Sequence, residues 1–164
     1  MFQSDDIPFS GVISRDVYIK AQLLNSSKNI WLFRLVLAVA AVIVAVSAYS
    51  NGDYVFSVII AGFGILYIPV IFAIRKWHIV RTYEKSPYLH EQSRGVLSET
   101  QFYVEAPLGT CAIPWRNIIK VRANNDLLLL YPGPNIFYIL TREFFASDSD
   151  WMKARELVMR QVPN

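Results

Sequence analysis

The sequence predicts a membrane α-helical hairpin of two transmembrane helices, followed by a small β-rich domain with a C-terminal capping helix. Three observations predict this fold class. Two uncharged apolar runs lie close together, from Leu35 to Tyr49 and from Tyr54 to Ile74. Short apolar runs separated by turn residues follow them. An amphipathic pattern with an acidic start comes last, near the C-terminus.

The composition agrees with an apolar hairpin attached to an ordinary domain. Of the 164 residues, 54% are hydrophobic and only 18% are charged, and the net charge is +3. Most of the positive excess flanks the apolar runs. A basic flank beside an apolar segment is better explained by lipid headgroups than by nucleic acid, so no nucleic-acid partner is expected. The acidic N-terminus lacks the positive region of a cleavable signal peptide.

Residues 1–30 are predicted to form an N-terminal cytoplasmic segment with a short strand and a helix. Ser14 can cap a helix through "RDVYIKAQLL", in which Val17, Ala21 and Leu24 share a face. Two arrangements are open. The helix can lie flat on the membrane, or it can pack on the later β-rich domain while residues 9–13 add to its sheet. The second is favoured because the charges of the helix are few and mixed.

Residues 31–76 are predicted to form the transmembrane hairpin, with spans at about 32–50 and 54–74. A run of about 20 apolar residues crosses a hydrocarbon core of roughly 30 Å. The first run reaches this length only when Trp31 to Phe33 are included and Arg34 extends toward headgroups. Pro69, inside the second run, predicts a kink.

Small residues predict how the two helices meet. In each run they recur at spacings of three and four, which places them on one helix face. Small residues let helix backbones approach closely. Folding the chain about Gly52 and Asp53 then predicts four contacts: Ala48 with Ser57, Ala45 with Ala61, Ala41 with Gly64, and Ala38 with Ile68.

The basic residues predict an orientation. They lie before the first run and after the second, while the loop from Ser50 to Asp53 has none. The positive-inside rule therefore predicts a multi-pass protein of the cell inner membrane with both termini in the cytoplasm. The flanking residues are Arg15, Lys20, Lys28 and Arg34 on one side, and Arg75, Lys76, Arg81 and Lys85 on the other.

Residues 77–164 are predicted to form a cytoplasmic domain with about six strands between Leu89 and Leu140. A helix follows in "SDSDWMKARELVMRQ", capped by Ser147 or Ser149, with Asp148 and Asp150 in its first turn. Antiparallel strands closed by one C-terminal amphipathic helix form the arrangement of a PH-like domain.

The order of these segments resembles the YcxB-like family of bacterial membrane proteins. The resemblance rests on "ISRDVYIKAQ" before the hairpin and on "IPWRNIIKV", "LLLLY" and "NIFYILTREFF" after it. Trp115 matches a family Trp, and Arg142 with Phe144 or Phe145 matches a basic residue before a Phe. Thr141 stands where members often have Pro. The resemblance implies two transmembrane helices with a PH-like C-terminal domain, and it implies no reaction.

No residue constellation predicts catalysis, a metal or a cofactor. Cys111 has no His near it in sequence to act as a base, and His78 and His90 have no metal-ligand spacing. The protein is therefore expected not to be an enzyme. Seven basic residues are the candidate lipid or partner contacts, because they flank the hairpin or lie near predicted strand ends: Arg75, Lys76, Arg81, Arg116, Lys120, Arg122 and Arg142.

The function predicted from these features is an integral inner-membrane protein whose cytoplasmic PH-like domain serves binding or scaffolding without catalysis. The expected partners are membrane lipids, with a protein partner at the cytoplasmic face and a homo-oligomer as further expectations. Two alternatives stay open at this point. One is a toxin or bacteriocin immunity protein, and the other is an oligomeric small-molecule or ion conduit built from the hairpin.

Overall fold

The structure, a computed structural model, describes residues 6–25, 28–107 and 109–162, without the side chains at 28–34, 64, 65 and 68. It is a mixed α/β fold. The helices are α1 (Arg15–Asn25), α2 (Lys28–Ser50), α3 (Tyr54–Glu84) and α4 (Asp148–Gln161). The strands are β1 (Ile7–Gly11), β2 (Ser93–Leu97), β3 (Gln101–Ala106), β4 (Gly109–Pro114), β5 (Lys120–Ala123), β6 (Leu127–Tyr131) and β7 (Tyr138–Thr141).

The chain divides into two compact units. One, the β-rich unit, combines Met1–Asn25 with Thr82–Asn164, and the other, the helical unit, is Ser26–Arg81. The N-terminal segment, predicted as a separate stretch of residues 1–30, thus belongs to the same unit as the strands that follow the hairpin. The helical unit is an insertion between β1–α1 and the rest of the β-rich unit.

The helical unit consists of α2 and most of α3, which pack as neighbours on either side of a short turn. Gly52 has a φ of +84°, a conformation that glycine adopts without strain. Asp53 caps α3, since its Oδ1 accepts a hydrogen bond of 3.2 Å from the backbone N–H of Phe56. Farther along, the Ser57 hydroxyl donates to the Ala45 carbonyl at 2.8 Å. The polar loop from Ser50 to Asp53 between the apolar runs is therefore a tight helix–helix turn.

The transmembrane prediction is wrong. Among the described residues, no helix is both long enough and apolar enough to cross a membrane. The C-terminal part of α3 carries Arg75, Lys76 and Arg81.

Several predictions depended on those spans and are corrected with them. They are the fold class of a membrane hairpin, the spans at about 32–50 and 54–74, the multi-pass inner-membrane localisation with both termini cytoplasmic, and the function of an integral membrane protein. The conduit alternative, which required a membrane hairpin, loses its basis as well.

The predicted helix–helix contacts agree with the structure only in part. Ala45 and Ser57 are both buried, but the hydrogen bond joins Ser57 to Ala45, about one helical turn from the predicted partner Ala48. The predicted contacts through Gly64 and Ile68 lie outside the described side chains. So do the roles assigned to the side chains of Trp31, Phe33 and Arg34.

The β-rich unit contains two antiparallel sheets, one with the order β1-β2-β3-β4 and one with the order β5-β6-β7. The six strands predicted between Leu89 and Leu140 are present as β2 to β7. Along β3, burial alternates as expected for a strand with one face in the core. All five residues of β6 are buried, because Leu128 and Leu130 face the main core while α1 contacts β6 as well.

The N-terminal segment adopts the second of the two arrangements left open by the sequence. β1 pairs antiparallel with β2, placing Phe9 opposite Gly95. Ser14 caps α1 by accepting a hydrogen bond from the Val17 N–H at 3.3 Å. Val17 and Ala21 of α1 are buried. The added strand is Ile7–Gly11, two residues earlier than predicted.

The C-terminal helix α4 is present with the predicted cap. The Ser147 Oγ accepts a hydrogen bond of 3.1 Å from the Asp150 N–H. Its buried face consists of Trp151, Ala154, Leu157 and Val158, which join the main core of the unit. The apolar stripe of α4 thus covers one side of the packed sheets.

The closeness of β1, β2 and β3 can be tested at Gly95. A Cβ at this position would lie 2.2 Å from the Tyr103 carbonyl oxygen and 2.5 Å from the Phe9 ring. We expect Gly95→Ala to lower the free energy of unfolding by about 1–3 kcal/mol, the usual cost of overpacking. Gly133→Ala is the control, because its Cβ would have no atom within 4 Å. Chemical denaturation measures both, and equal midpoints for the two variants would contradict this packing.

Candidate functional site

The β-rich unit contains an apolar cavity of about 410 Å³. It opens between β3, β7, α1 and the segment that leads into β2. Ligand pockets in proteins usually fall between roughly 300 and 1,000 Å³ and are mostly apolar with a few polar groups. The lining residues are Phe9, Ile13, Tyr18, Gln22, Tyr88, Leu89, Ser93, Phe102, Val104, Ala106, Pro107, Asn135, Ile136, Phe137, Tyr138, Ile139, Leu140 and Phe144.

Aromatic rings from three strands form one wall of this cavity. Phe9 of β1 stacks on Phe102 of β3, with ring centroids 5.8 Å apart and planes inclined by 10°. The Tyr138 ring of β7 meets Phe102 edge to face at 5.1 Å. Phe9 and Phe102 are almost wholly buried. Since interlocked rings of this kind have few alternative rotamers, the wall is preorganised.

The polar lining groups are neutral. Tyr18 and Gln22 lie one turn apart on α1, and Ser93 and Asn135 contribute from other segments. Burial raises the pKa of the Tyr18 phenol above its ordinary value of 10.0, against a smaller lowering by its hydrogen bond with Gln22. Burial likewise raises the pKa of Tyr138, and the nearby Cys111 adds to the shift. Both phenols therefore stay protonated at neutral pH.

The described residues that line the cavity include no Asp, Glu, Lys, Arg or His. A charged molecule placed in the cavity would lose its hydration without gaining a counter-charge, which costs several kcal/mol or more. The cavity is thus suited to a neutral molecule with a large apolar part and a small hydrogen-bonding group.

The helix that carries Tyr18 is held at its start by Tyr83. The Tyr83 hydroxyl donates to the Ile13 carbonyl at 2.9 Å, and its ring lies 5.6 Å from that of Tyr18. The His90 ring packs edge to face on the Tyr83 ring, with centroids 4.5 Å apart. These contacts fix the mouth of the cavity from the side of α1.

The same helix is held at its end by Arg122, one of the predicted lipid or partner contacts. The Arg122 Nη1 donates to the carbonyl oxygens of Leu24 at 2.8 Å and Asn25 at 2.6 Å. The Tyr131 hydroxyl donates to Asn25 Oδ1 at 2.8 Å. Arg122 therefore caps the C-terminal carbonyls of α1, where a cation is favoured by the helix dipole.

The other predicted basic contacts of the β-rich unit are differently placed. Lys120 precedes Arg122 by two residues on β5, and its Nζ lies 5.7 Å from the centre of the Tyr131 ring. Arg142 forms a bidentate ion pair with Asp148 at the start of α4. The hydrogen bond from Arg142 lowers the pKa of the Asp148 carboxyl. Arg116 lies exposed in the short turn Trp115–Asn117 that precedes β5.

The remaining three basic residues belong to the helical unit. Arg81 places its guanidinium 4.9 Å from the centre of the Trp77 ring, a cation–π contact. Arg75 and Lys76 lie one and a half turns earlier on α3. Of the seven predicted residues, Lys120 and Arg122 lie on the same strand. Arg122 and Arg142 bind groups of the protein's own fold, namely the end of α1 and the start of α4.

No family model, curated protein or solved structure matches the chain. The resemblance to the YcxB-like family therefore has no support from these comparisons, and the PH-like designation stays a prediction from the order of elements. Trp115, which carried part of the resemblance, is a core residue whose Nε1 donates to the Ser98 carbonyl at 2.8 Å. Within the described ranges, no group of three or more His, Cys, Asp and Glu could hold a metal ion.

Sequence reasoning missed the cavity. Its lining comes from β1, α1, the segment that leads into β2 together with Ser93, β3, the stretch 135–140 and Phe144, which meet only after folding. One local signal was present, since Tyr18 and Gln22 are one turn apart and polar on a helix whose other face is apolar. The spacing of Tyr18 and Gln22 does not indicate which other segments pack around their side chains.

A comparison of Arg122 with Lys120 tests whether Arg122 stabilises the fold by capping α1 or only by its positive charge. We expect Arg122→Ala to lower the free energy of unfolding by about 2 kcal/mol, because two partly buried carbonyls lose a charged donor. Lys120→Ala, on the same strand, should change it by less than about 0.5 kcal/mol. Thermal or chemical denaturation measures both. Equal losses would show that Arg122 does not hold α1.

Proposed function

We propose that the β-rich unit is a binding module that holds a neutral, mainly apolar small molecule in its cavity and does not transform it. The observation that carries this proposal is the combination of volume and lining. The cavity is about 410 Å³ in size and is walled by aromatic rings, and none of the described residues that line it is charged. An apolar cavity with a few convergent polar groups is the usual form of a small-molecule site.

The lining also defines the chemical class of the ligand. The wall of Phe9, Phe102 and Tyr138 favours a flat or ring-bearing apolar body, since aromatic pairs contribute about 0.5–1.5 kcal/mol beyond the area they bury. Tyr18 and Gln22 supply a hydroxyl and an amide near one side of the cavity. A single carbonyl, hydroxyl or amide on the ligand would satisfy them.

The absence of turnover in this proposal follows from the same lining. General acid–base chemistry needs a group that exchanges a proton near neutral pH. The Tyr18 and Tyr138 phenols have pKa values raised above 10.0 and stay protonated, and the described lining residues contribute no carboxylate or imidazole. Nothing observed at this cavity supports the alternative of a toxin or bacteriocin immunity protein.

The proposal is tested by titrating the full chain with a neutral N-phenylnaphthylamine dye, whose fluorescence rises in apolar surroundings. Ala106→Phe should fill the cavity and weaken the dye affinity about tenfold or more, because the added ring occupies the volume of the ligand. Ala112→Phe is the matched control, since Ala112 is exposed on the neighbouring strand β4.

Three outcomes are distinguished by this pair. A loss confined to Ala106→Phe, with unfolding midpoints unchanged for both variants, supports the cavity as the site. Equal affinity in all three proteins assigns the dye to another apolar surface and contradicts the proposal. If Ala106→Phe unfolds the unit, Gln22→Leu provides the second arm, because it should weaken a dye that carries an amine donor while keeping the volume.

A further inference from the structure

The polar groups that line the cavity of the β-rich unit lie at very different depths. Tyr18 is only 8% exposed, whereas Tyr88 is 42% exposed. Gln22 and Ser93 are half-buried, and Asn135 is exposed. A polar group at the surface can exchange a ligand for water, but a buried group left without a partner costs about 1–3 kcal/mol. Among these groups, Tyr18 therefore depends most on what a bound ligand offers it.

The ring of Tyr18 is held in place by its neighbour Tyr83. The two ring centroids are 5.6 Å apart and the planes are inclined by 39°. The Tyr83 hydroxyl donates to the Ile13 carbonyl at 2.9 Å, just before the helix that carries Tyr18. Because both the ring and the start of its helix are fixed, the Tyr18 hydroxyl is presented to the cavity in one position.

Gln22, one turn farther along α1, determines which hydrogen-bonding role the Tyr18 hydroxyl has left. Burial raises the pKa of the Tyr18 phenol, and its hydrogen bond with Gln22 opposes that rise. A hydrogen bond that favours the phenolate is one that the phenol oxygen accepts, so the Gln22 amide N–H is the donor. A phenol hydroxyl carries one proton besides its acceptor lone pairs. The Tyr18 proton therefore remains available to be donated toward the cavity.

Tyr138, the phenol of the aromatic wall, has the opposite role. Burial raises its pKa, and the charge of Cys111 and a hydrogen bond with Cys111 raise it further. A hydrogen bond that disfavours the phenolate is one that the hydroxyl donates. The Tyr138 proton is thus directed at the Cys111 sulfur, and of these two buried phenols Tyr18 is the one whose proton a ligand can receive.

We propose that Tyr18 is the specificity-determining residue of the cavity, and that its hydroxyl, oriented by Gln22, donates a hydrogen bond to an acceptor on the ligand. The inference rests on the proposed binding function and narrows its ligand class to neutral ketones, esters and other molecules with a carbonyl oxygen. A molecule of the same shape that lacks an acceptor would leave the buried hydroxyl unpaired, and sites of this kind reject such analogues.

The experiment titrates the full chain with two neutral naphthalene dyes. One is Prodan, which has a ketone, and the other is N-phenylnaphthylamine, which has no carbonyl. Tyr18→Phe keeps the ring and removes the donor, so it should weaken the affinity for Prodan about fivefold and that for N-phenylnaphthylamine less than about twofold. Tyr83→Phe is the matched control, because it removes a hydroxyl from the adjacent ring whose proton is directed at Ile13. It should leave the ratio of the two affinities unchanged.

The infrared band of the Prodan carbonyl gives a second measurement that a purely structural role of Tyr18 would not change. In the wild-type complex the band should lie at the lower wavenumber of a hydrogen-bonded ketone, and Tyr18→Phe should shift it upward. A band at the position of an unbonded ketone in the wild-type complex overturns the inference even if Tyr18→Phe does not fold.

Failure of this inference differs from failure of the proposed function. If Ala106→Phe weakens both dyes while Tyr18→Phe and the wild type bind Prodan equally, the cavity is the site and the role of Tyr18 is refuted. If Ala106→Phe changes the affinity for neither dye, or neither dye binds the wild-type chain, the proposed function and this inference both fall.

Discussion

The β-rich unit depends on the pairing of its N-terminal strand β1 with β2, which follows the helical unit in the sequence. β1 pairs with β2 across the whole inserted helical unit, and the side chains of Ser10 and Gln92, 82 residues apart, are joined by a hydrogen bond of 2.7 Å. Without β1 the four-stranded sheet would lose its edge strand, and the Phe9 ring would leave the aromatic wall. Without α1 the outer residues of β6 would be exposed to water, since α1 contacts that strand.

This pairing requires the backbones of β1, β2 and β3 to lie close together, and glycine at two positions permits it. Gly95 permits the contact of β2 with the Phe9 ring and with β3, and a Cβ at Gly11 would lie 2.2 Å from the Phe144 ring. Polar contacts then fix α1 at both ends, through Tyr83 at Ile13 and through Arg122 at Leu24 and Asn25. These contacts also form the cavity, because the segments that they bring together line it.

Local patterns in the sequence predicted the elements better than the site. Alternation predicted the strands, and Ser147 with the acidic first turn predicted α4, because these features act within a few residues. The two apolar runs predicted α2 and α3. The step from those helices to membrane spans was wrong, since no helix among the described residues is long and apolar enough to cross a membrane. Hydropathy also does not specify what covers an apolar face.

The basic residues show why the site could not be predicted. Arg122 was interpreted as a surface contact because it lies near a strand end. Its partners are the main-chain carbonyls of α1, the farther of them 98 residues earlier, and no local pattern indicates such a contact. The cavity could not be predicted for the same reason, as its lining is drawn from segments that are far apart in the sequence.

The most direct test of this account is native-state hydrogen exchange of the full chain, read at the amides of β1. If β1 completes the sheet, its hydrogen-bonded amides exchange as slowly as those of β3 and are released together with them as one cooperative unit. If β1 amides exchange at the rate of an unprotected peptide while β3 stays protected, the N-terminal segment does not hold the unit together, and the cavity loses one of its walls.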